Sequence, residues 1–368
     1  MSTATSIAGA FAGKPFEPPG LRIVDPEASI TIATAHIQDL PMLRRAALVL
    51  SGLLATPLLY AQEVPEPAQF IRELAAETGW QESDIRATLD GARKMQSILD
   101  AISRPAEAKP WKDYRPIFLT DARIDAGASF MREHVDLLNR VEAETGVPAS
   151  VIAAIIGVET SYGKITGSYR VLDALYTLGF HYPPRAAFFR DELKHLFRLA
   201  GEEQLEIGAL KGSYAGAMGW GQFIPSSYRN FAVDGDGDGR RDLWNSLPDI
   251  VASVANYFVE HGWAHEGVVA ERATAAAGAR PFERDGLNMT STVGELAELG
   301  YTVEAALDPA QPATLLKLEG SAGDEYWLVF PNFYVISRYN RSPLYSMAVH
   351  QLSLELEKAR QRGLIRRQ

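Results

Sequence analysis

The segment PASVIAAIIGVETSYG, residues 148–163, is the most informative part of this sequence for its fold. Nearly every residue before Glu159 is apolar, and a helix that is apolar all round is buried inside a protein. Pro148 is typical of the start of a helix, and Gly163 is typical of the residue that ends one. We therefore predict a core helix whose last turn carries the carboxyl group of Glu159.

A carboxyl group at that position is suited to donating a proton. Burial disfavours the charged form, and the negative end of the helix dipole disfavours it further. Both effects raise the pKa of a carboxyl group, as a proton donor near neutral pH requires. Glu159 is therefore a candidate catalytic acid. The alternative is a side chain that points to solvent where the helix ends.

The composition is that of an ordinary globular protein and excludes several classes of function. At 368 residues the chain is long enough for two or three domains. The net charge is -10 and no run of Lys and Arg could hold a phosphate backbone, so we expect no nucleic-acid partner. The sequence contains no cysteine, which excludes disulfides, thiolate metal sites, a cysteine nucleophile and a lipid on a cysteine.

Residues 42–61, MLRRAALVLSGLLATPLLYA, have the plan of a secretory signal peptide. The basic pair Arg44 and Arg45 precedes an apolar run from Ala46 to Tyr60, which is shorter than the ~20 residues of a membrane-spanning helix. The small residue Ala61 follows, so we expect cleavage after it, with residues 1–41 as upstream sequence. The alternatives are a buried helix and a signal anchor.

The rest of the sequence predicts a mainly α protein with a small antiparallel β part. Apolar positions three and four residues apart predict helices from Pro67 to Leu138, interrupted by a proline-containing loop at 106–118. Within residues 264–335, the segments GVVAERATAA, ATLLKLEG and EYWLVFPNFYVI carry β-branched and aromatic residues between glycine turns, which predicts short antiparallel strands. A final helix is predicted from Pro343 to Arg360.

Residues 212–228, GSYAGAMGWGQFIPSSY, combine glycines with aromatic and hydrogen-bonding side chains. The glycines allow close backbone approach, and Tyr214, Trp220 and Phe223 supply flat apolar faces. Ser213 and Gln222 can hydrogen-bond hydroxyl and amide groups. This combination suits a sugar polymer with N-acetyl groups, and the alternative is a tightly packed helix and turn.

The sequence offers no obvious second carboxylate beside Glu159. Most enzymes that cleave glycosidic bonds use two. Asp191 and Glu192 lie in FFRDELKHLFRLA, an amphipathic helix whose polar face we expect them to occupy.

Residues 234–245, DGDGDGRRDLWN, begin like the calcium loop of an EF-hand. Positions one, three, five, six and seven of such a loop are matched by Asp234, Asp236, Asp238, Gly239 and Arg240. Oxygen ligands at this spacing favour Ca²⁺. Position twelve is Asn245 in place of a glutamate, and Asp249 is the candidate for the missing carboxylate. The alternative is a solvated acidic turn.

Several long motifs together resemble the lytic murein transglycosylase B family. They occur in the family's order between Trp111 and His350, and they are VETSYGK, GSYAGAMGWGQFIPSSY, the aspartate loop, SVANYFVEHGW and SRYNRSPLYSMAV. The resemblance implies a mainly α fold: a lysozyme-like α core with a flanking helical domain, a small antiparallel β domain, and an EF-hand-like metal loop in the core. The corresponding boundaries are 62–141 for the helical domain, 142–263 for the core, 264–335 for the β domain, and 336–368 for a C-terminal helix that returns to the helical domain.

The resemblance also implies the reaction and the location. Glu159 would protonate the glycosidic oxygen between MurNAc and GlcNAc in peptidoglycan, and would then take the proton of the MurNAc C6 hydroxyl as a 1,6-anhydro ring closes. Water is not the nucleophile, so one carboxylate is enough. Membrane-bound members of the family carry a lipid on a cysteine, so we expect this cysteine-free protein to be soluble and periplasmic, with no membrane anchor.

Further residues take their roles from the resemblance. Ser213 and Gln222 would lie beside Glu159 and the reacting sugar. The glycan groove would be lined by Tyr114, Phe223, Tyr257, Tyr339 and Tyr345, with Asn340 and Arg185 assisting. A structural Ca²⁺ would be bound by Asp234, Asp236, Asp238, the carbonyl of Arg240 and Asp249. No organic cofactor is expected.

Two other functions remain as alternatives. A hydrolytic muramidase would use water, would need a base on the far face of the sugar, and would leave reducing ends. A calcium-stabilised peptidoglycan-binding protein would have no catalysis, and the intact Glu159 argues against it.

Overall fold

The computed structural model describes residues 67–103 and 109–365. The predicted signal peptide at 42–61 and the segment before it lie outside these residues. The described part is mainly helical with a small antiparallel sheet, as the sequence predicted.

The helices and strands are numbered in chain order. The helices are α1 (Pro67–Thr78), α2 (Glu82–Asp90), α3 (Gln96–Ile102), α4 (Trp111–Phe118), α5 (Asp121–Glu133), α6 (Val135–Thr145), α7 (Ala149–Thr160), α8 (Val171–His181), α9 (Ala186–Glu203), α10 (Pro225–Phe231), α11 (Leu247–Glu260), α12 (Val293–Glu298), α13 (Pro331–Tyr339) and α14 (Pro343–Ile365). The strands are β1 (Tyr169–Arg170), β2 (Lys211–Gly212), β3 (Ala270–Ala275), β4 (Ser291–Thr292), β5 (Tyr301–Val303), β6 (Pro312–Gly320) and β7 (Gly323–Val329).

Helix α7 is the central helix of the fold, and it is the core helix predicted from the sequence. All of its residues except Glu159 are buried, and it packs against α5, α6, α11 and α14. Each fully buried Val or Ile side chain stabilises such a helix by about 1.5–3 kcal/mol. The helix ends at Thr160 because Ser161 and Tyr162 adopt left-handed backbone conformations, with φ of 51° and 60°.

The close crossing of α5 and α7 depends on two glycines. The Tyr162 side chain lies between the helices, and a Cβ atom added at Gly127 or Gly157 would lie 2.1 or 2.5 Å from its hydroxyl oxygen. Real Cβ atoms do not approach other atoms so closely. The two glycines therefore make the space that Tyr162 fills directly after Glu159.

The main sheet has the strand order β4-β6-β7-β3-β5, and every pairing is antiparallel. Side chains alternate between the faces of a strand. On β6, Leu316 and Leu318 pack with Trp111 and Met347 on one face, whereas Leu315 packs with Leu296 and Phe330 on the other. The first face therefore joins the sheet to α4 and α14.

The prediction of a loop at 106–118 is wrong for residues 111–118. Trp111–Phe118 forms α4 even though it contains Pro116. Trp111 and Tyr114 are 1% and 2% exposed, on the side of the helix that faces the sheet. Burial of two aromatic side chains outweighs the backbone hydrogen bond that Pro116 removes.

The predicted strand EYWLVFPNFYVI is only half a strand. Strand β7 ends at Val329, and Pro331 begins α13. Proline lacks the N–H group that a strand would use, whereas the first turn of a helix leaves that group unbonded anyway. The other strand predictions and the final helix are confirmed, since β3, β6 and α14 cover them.

Among the residues that the structure describes, no single helix has both the length and the apolar composition to cross a membrane. Helices α6 and α7, which meet at a bend of 114°, pass that test only as a pair.

We predict that Gly157→Ala destabilises the fold by about 1–3 kcal/mol, because the new methyl group overpacks the crossing filled by Tyr162. The control is Gly201→Ala in α9, where the nearest atom to an added Cβ is 3.6 Å away. That variant should be neutral, or more stable by up to about 1 kcal/mol through helix propensity. Urea unfolding followed by circular dichroism measures both, and equal stability of the two variants would contradict the packing described here.

Candidate active site

The carboxyl group of Glu159 lies half-buried at the end of α7, and α14 contributes its nearest partner. The Tyr345 hydroxyl donates a hydrogen bond to Oε1 of Glu159 at 2.5 Å. Tyr345 is 3% exposed, so this contact is shielded from bulk solvent. The sequence analysis placed both residues in one site, and the structure brings them into contact.

A second tyrosine links the carboxyl group to the glycine-rich segment. Burial raises the pKa of Tyr339 and of Tyr345 well above the ordinary value, and the charge of Glu159 raises each further. Both phenols therefore stay protonated and can donate. The Tyr339 hydroxyl donates to the carbonyl of Gly221 at 2.7 Å. Tyr339 thus holds the segment 212–228 against the end of α7.

The polar residues predicted from that segment bind backbone groups of the segment itself and, in the case of Gln222, also of Thr166 after α7. The Ser213 hydroxyl accepts from the N–H groups of Ala215 and Ala217 at 3.3 and 3.0 Å. Gln222 has a left-handed backbone with φ of 51°, and its amide donates to the carbonyls of Gly219 and Thr166 at 2.9 and 3.1 Å. These bonds fix the shape of the loop beside Glu159.

Phe223 and Tyr257 lie in an aromatic cluster behind Tyr339. The ring of Phe223 meets those of Tyr257 and Tyr339 edge-on at 5.8 Å, and Phe223 is 2% exposed. The Tyr257 hydroxyl donates to the carbonyl of Arg338 at 2.6 Å, and burial raises the pKa of Tyr257 to about 12. Both side chains therefore support Tyr339 from the interior.

The three remaining predicted groove residues lie at different places. Tyr114 is buried next to Tyr345, whose pKa it helps to raise. The Asn340 side-chain oxygen accepts from the N–H of Ser342 at 3.0 Å, just after Tyr339. Arg185 is exposed before α9, and its guanidinium group lies 4.4 Å from the centre of the Phe188 ring.

Thr160 stabilises the site, and this role was not predicted from the sequence. Its hydroxyl donates to the carbonyl of Trp220 at 3.0 Å and accepts from the N–H of Gly163 at 3.1 Å. It therefore ties the end of α7 to the glycine-rich segment. The sequence carries one signal for it, since a hydroxyl side chain directly follows Glu159 in an otherwise apolar helix.

The aspartate loop connects α10 and α11 and brings three carboxylates together. Oxygen atoms of Asp234, Asp236 and Asp249 all lie within 4.8 Å of one another. Two oxygens bound to one Ca²⁺ at ~2.4 Å can be at most about 5 Å apart. The three carboxylates therefore fit a single calcium ion.

The other two predicted ligands lie differently. The Asp238 carboxylate accepts from the N–H of Arg240 at 2.8 Å, and both residues are exposed. Asp238 is outside the three-residue group, whereas Asp249 is 1% exposed and belongs to it. Asp249 also accepts from the N–H groups of Gly235 and Asp242, both at 2.7 Å, and so fixes the loop against α11.

The prediction that Glu192 lies on a polar helix face is wrong. Asp191 is exposed, but Glu192 is 3% exposed and accepts from the N–H and hydroxyl of Ser226 at 2.9 and 2.6 Å. Burial raises the pKa of Glu192, whereas the bonds from Ser226 lower it. The sequence periodicity of α9 identifies its apolar face, but it does not show that α10 packs over Glu192 beside that face. Glu192 therefore fixes the start of α10, close after Phe223.

Comparisons of the sequence and the fold with known proteins identify related chains. The family described as "Transglycosylase SLT domain" matches residues 62–354. Among curated proteins, the chain is 40% identical over 306 residues to membrane-bound lytic murein transglycosylase B of Escherichia coli strain K12, which covers 80% of this chain and 84% of that protein.

Three solved structures are similar in fold. The soluble lytic transglycosylase SltB1 of Pseudomonas aeruginosa has 48% identity and a TM-score of 0.75, over 80% of this chain and 99% of that one. The lytic transglycosylase Slt35 of Escherichia coli in complex with calcium has 40% identity and a TM-score of 0.74, over 80% and 94%. SltB3 of Pseudomonas aeruginosa in complex with NAG-NAM-pentapeptide has 30% identity and a TM-score of 0.70, over 79% and 78%.

We predict that Glu192→Ala lowers the free energy of unfolding by about 1–3 kcal/mol, because it removes two hydrogen bonds to a buried carboxyl group and leaves the half-buried N–H and hydroxyl of Ser226 without that acceptor. The matched control is Asp191→Ala, whose side chain is 67% exposed and should cost less than about 0.5 kcal/mol. Denaturant unfolding of both variants measures the difference. Equal losses would show that the Glu192–Ser226 contact contributes nothing to the fold.

Proposed function

The chain belongs to the transglycosylase SLT domain family and is a lytic transglycosylase of peptidoglycan, and from that premise we propose that Glu159 is its catalytic acid and base. The observation that carries this proposal is the contact between Tyr345 and Glu159 at the end of the buried helix α7. Tyr345 contacts this side chain, and the next residue, Thr160, joins the end of α7 to the glycine-rich segment.

The proposed reaction uses one carboxyl group twice, first as an acid and then as a base. Protonated Glu159 gives its proton to the oxygen between MurNAc and GlcNAc, the bond from that oxygen to C1 of MurNAc breaks, and GlcNAc leaves with a free hydroxyl. The Glu159 carboxylate then takes the proton of the MurNAc C6 hydroxyl while the C6 oxygen bonds to C1. The products are a 1,6-anhydro-MurNAc end and a GlcNAc end, and Glu159 is protonated again.

This route needs no second carboxylate, and the other buried glutamate, Glu192, has a structural role. Both oxygens of Glu192 accept hydrogen bonds from Ser226, so Glu192 stabilises the fold. A hydrolytic muramidase would need a base to activate water. The family and its relatives favour neither that alternative nor a non-catalytic binding protein.

We also propose that the predicted groove residues hold the glycan on either side of Glu159. Tyr345 contacts the carboxyl group, Tyr339 lies within reach of its charge, and Tyr114 is next to Tyr345. Ser213 and Gln222 shape the loop that would face the reacting sugar. Phe223 and Tyr257 support these residues from behind, and Asn340 and Arg185 would contact more distant parts of the strand.

For the aspartate loop we propose a structural Ca²⁺ in an EF-hand-like site. Asp234, Asp236 and Asp249 would supply carboxylate oxygens, with Asp238 and the carbonyl of Arg240 completing the shell. Ca²⁺ would cancel the repulsion among carboxylates held at close range. Glycan cleavage by proton transfer needs no Lewis acid, so the ion would stabilise the fold and take no part in the reaction.

The proposed location is the periplasm, as a soluble protein released after Ala61. The support is the pattern of residues 42–61 and the absence of a cysteine that could carry a lipid in the sequence. We keep the division into domains at 62–141, 142–263, 264–335 and 336–368 as part of the same proposal.

We predict that Glu159→Gln lowers the rate of peptidoglycan cleavage by ~10²-fold or more, because glutamine keeps the size of the side chain but cannot transfer the proton. The variant should fold normally and still bind peptidoglycan. Glu144→Gln on the exposed part of α6 makes the same chemical change away from the site and should cleave like the parent. Release of soluble muropeptides measures turnover, and near-normal turnover of Glu159→Gln would remove Glu159 from this role.

We predict that Ca²⁺ raises the melting temperature of metal-free protein. A ligand at a hundredfold excess over its Kd stabilises the folded state by about 2.7 kcal/mol. Asp236→Ala should weaken the response to Ca²⁺, whereas Asp90→Ala, an exposed aspartate at the end of α2, should keep it. Calorimetric melting with and without Ca²⁺ measures both.

Activity distinguishes a structural ion from a catalytic one. At a temperature where the metal-free protein stays folded, removal of Ca²⁺ should change turnover little. If chelation stopped turnover while circular dichroism showed an unchanged fold, the ion would belong to the reaction and this part of the proposal would be wrong.

A further inference from the structure

Arg123 on α5 is a half-buried cation with which no carboxylate of the described residues forms an ion pair. Its guanidinium group donates to the carbonyl of Ile117 at 2.7 Å and to the Ser161 hydroxyl at 3.0 Å, and it lies 5.3 Å from the centre of the Phe118 ring. Its Nε atom is buried and has no hydrogen-bond partner among the described residues. A charge in this setting is costly unless an anion compensates it.

A cavity of about 190 Å³ opens beside this guanidinium group, between the start of α5 and the turn after α7. Lys164 lines the same cavity, is exposed, and forms no ion pair with a described residue. The nearby acids on α5, Asp121 and Asp125, are exposed and pair with neither cation. Two uncompensated cations therefore share one cavity in a chain whose net charge is -10.

The cavity lies close to the proposed catalytic residue along the chain, because three residues of its wall follow Glu159 within five positions. Ser161 follows Glu159 by two residues, and its left-handed backbone, with φ of 51°, directs the hydroxyl to Arg123. Such backbone strain tends to be kept where it serves a site. The Phe118 ring lies 5.1 Å from that of Tyr114, next to Tyr345.

We propose that Arg123 and Lys164 form a subsite for a carboxylate on the peptide stem of the muramyl residue beside the scissile bond. This inference rests on the proposed function, because peptidoglycan is the substrate that carries such peptides. Arg123 would use the part of its guanidinium group that lines the cavity, and Lys164 would contribute its exposed ammonium group. A guanidinium group is shaped for a planar carboxylate, and charge-assisted hydrogen bonds are among the stronger ones.

Size and reach are compatible with this ligand. The cavity volume of about 190 Å³ leaves room for a carboxylate group. Ser161 in the cavity wall is two residues after Glu159, so their Cα atoms are at most about 7.6 Å apart. An extended peptide spans roughly 3.5 Å per residue, so a stem of a few residues is long enough to cover that distance.

The test is the affinity of the Glu159→Gln protein for three disaccharides, measured by isothermal titration calorimetry. The probes are NAG-NAM-pentapeptide, the same molecule with its peptide carboxylates amidated, and peptide-free NAG-NAM, whose lactyl carboxylate is free. The Glu159→Gln protein should bind the amidated probe about tenfold more weakly than the pentapeptide probe, which is the effect of one charge-assisted hydrogen bond.

Adding Lys164→Gln or Arg123→Gln to that protein should reduce the tenfold difference to about twofold or less. Arg123 also contacts Ile117 and Ser161, so the exposed Lys164 keeps the test valid if the Arg123 variant folds poorly. Lys94→Gln removes an exposed lysine elsewhere and should keep the full difference.

Three results would overturn the proposal. The first is equal binding of the pentapeptide probe and its amidated form. The second is a difference that survives Lys164→Gln unchanged. The third is peptide-free NAG-NAM binding as tightly as the pentapeptide probe and losing affinity with Lys164→Gln, which would assign the subsite to the lactyl carboxylate. Turnover by Glu159→Gln would instead disprove the catalytic role of Glu159, whatever the binding data show.

Discussion

An ionisable carboxyl group lies at the end of a helix that is otherwise buried, and the contacts of the surrounding segments are arranged around it. Every residue of α7 except Glu159 is buried, so the helix cannot move without disturbing the core. Neighbouring segments then fix what surrounds the carboxyl group. Thr160 ties it to the glycine-rich segment, and Tyr162 fills the close crossing with α5. The result is a carboxyl group held in a rigid frame.

The C-terminal part of the chain completes the site from a distance. Tyr345 contacts Glu159 although 186 residues separate them in sequence. Helix α14, which carries Tyr345, packs on both α7 and α5, and the buried residues around Trp111 and Met347 link it to the sheet. The β strands between the core and α13 therefore contribute to the geometry of the site. They help to position the two helices that bring Tyr339 and Tyr345 to the carboxyl group.

The sequence predicted the features that local patterns encode. The apolar run predicted α7, alternation and turns predicted β3 and β6, and the motif resemblance predicted the neighbours of Glu159. It failed where tertiary contacts decide the outcome. Helix α4 forms despite Pro116 because the sheet buries Trp111, and α10 buries Glu192 on a helix side that looks polar. No local pattern reports which element covers a given side chain. Asp249 was predicted as the further carboxylate of the aspartate loop, and the fold brings it together with Asp234 and Asp236, whereas Asp238 lies outside that group.

In the proposed reaction, the C6 hydroxyl of MurNAc, activated by Glu159, displaces the leaving sugar without water. Mass spectrometry of the fragments that the parent protein releases from peptidoglycan in ¹⁸O-labelled water tests this step most directly. We expect muramyl ends that are one water lighter than reducing ends and contain no ¹⁸O from the solvent. Reducing muramyl ends that carry solvent ¹⁸O would contradict it, because they would show that water is the nucleophile.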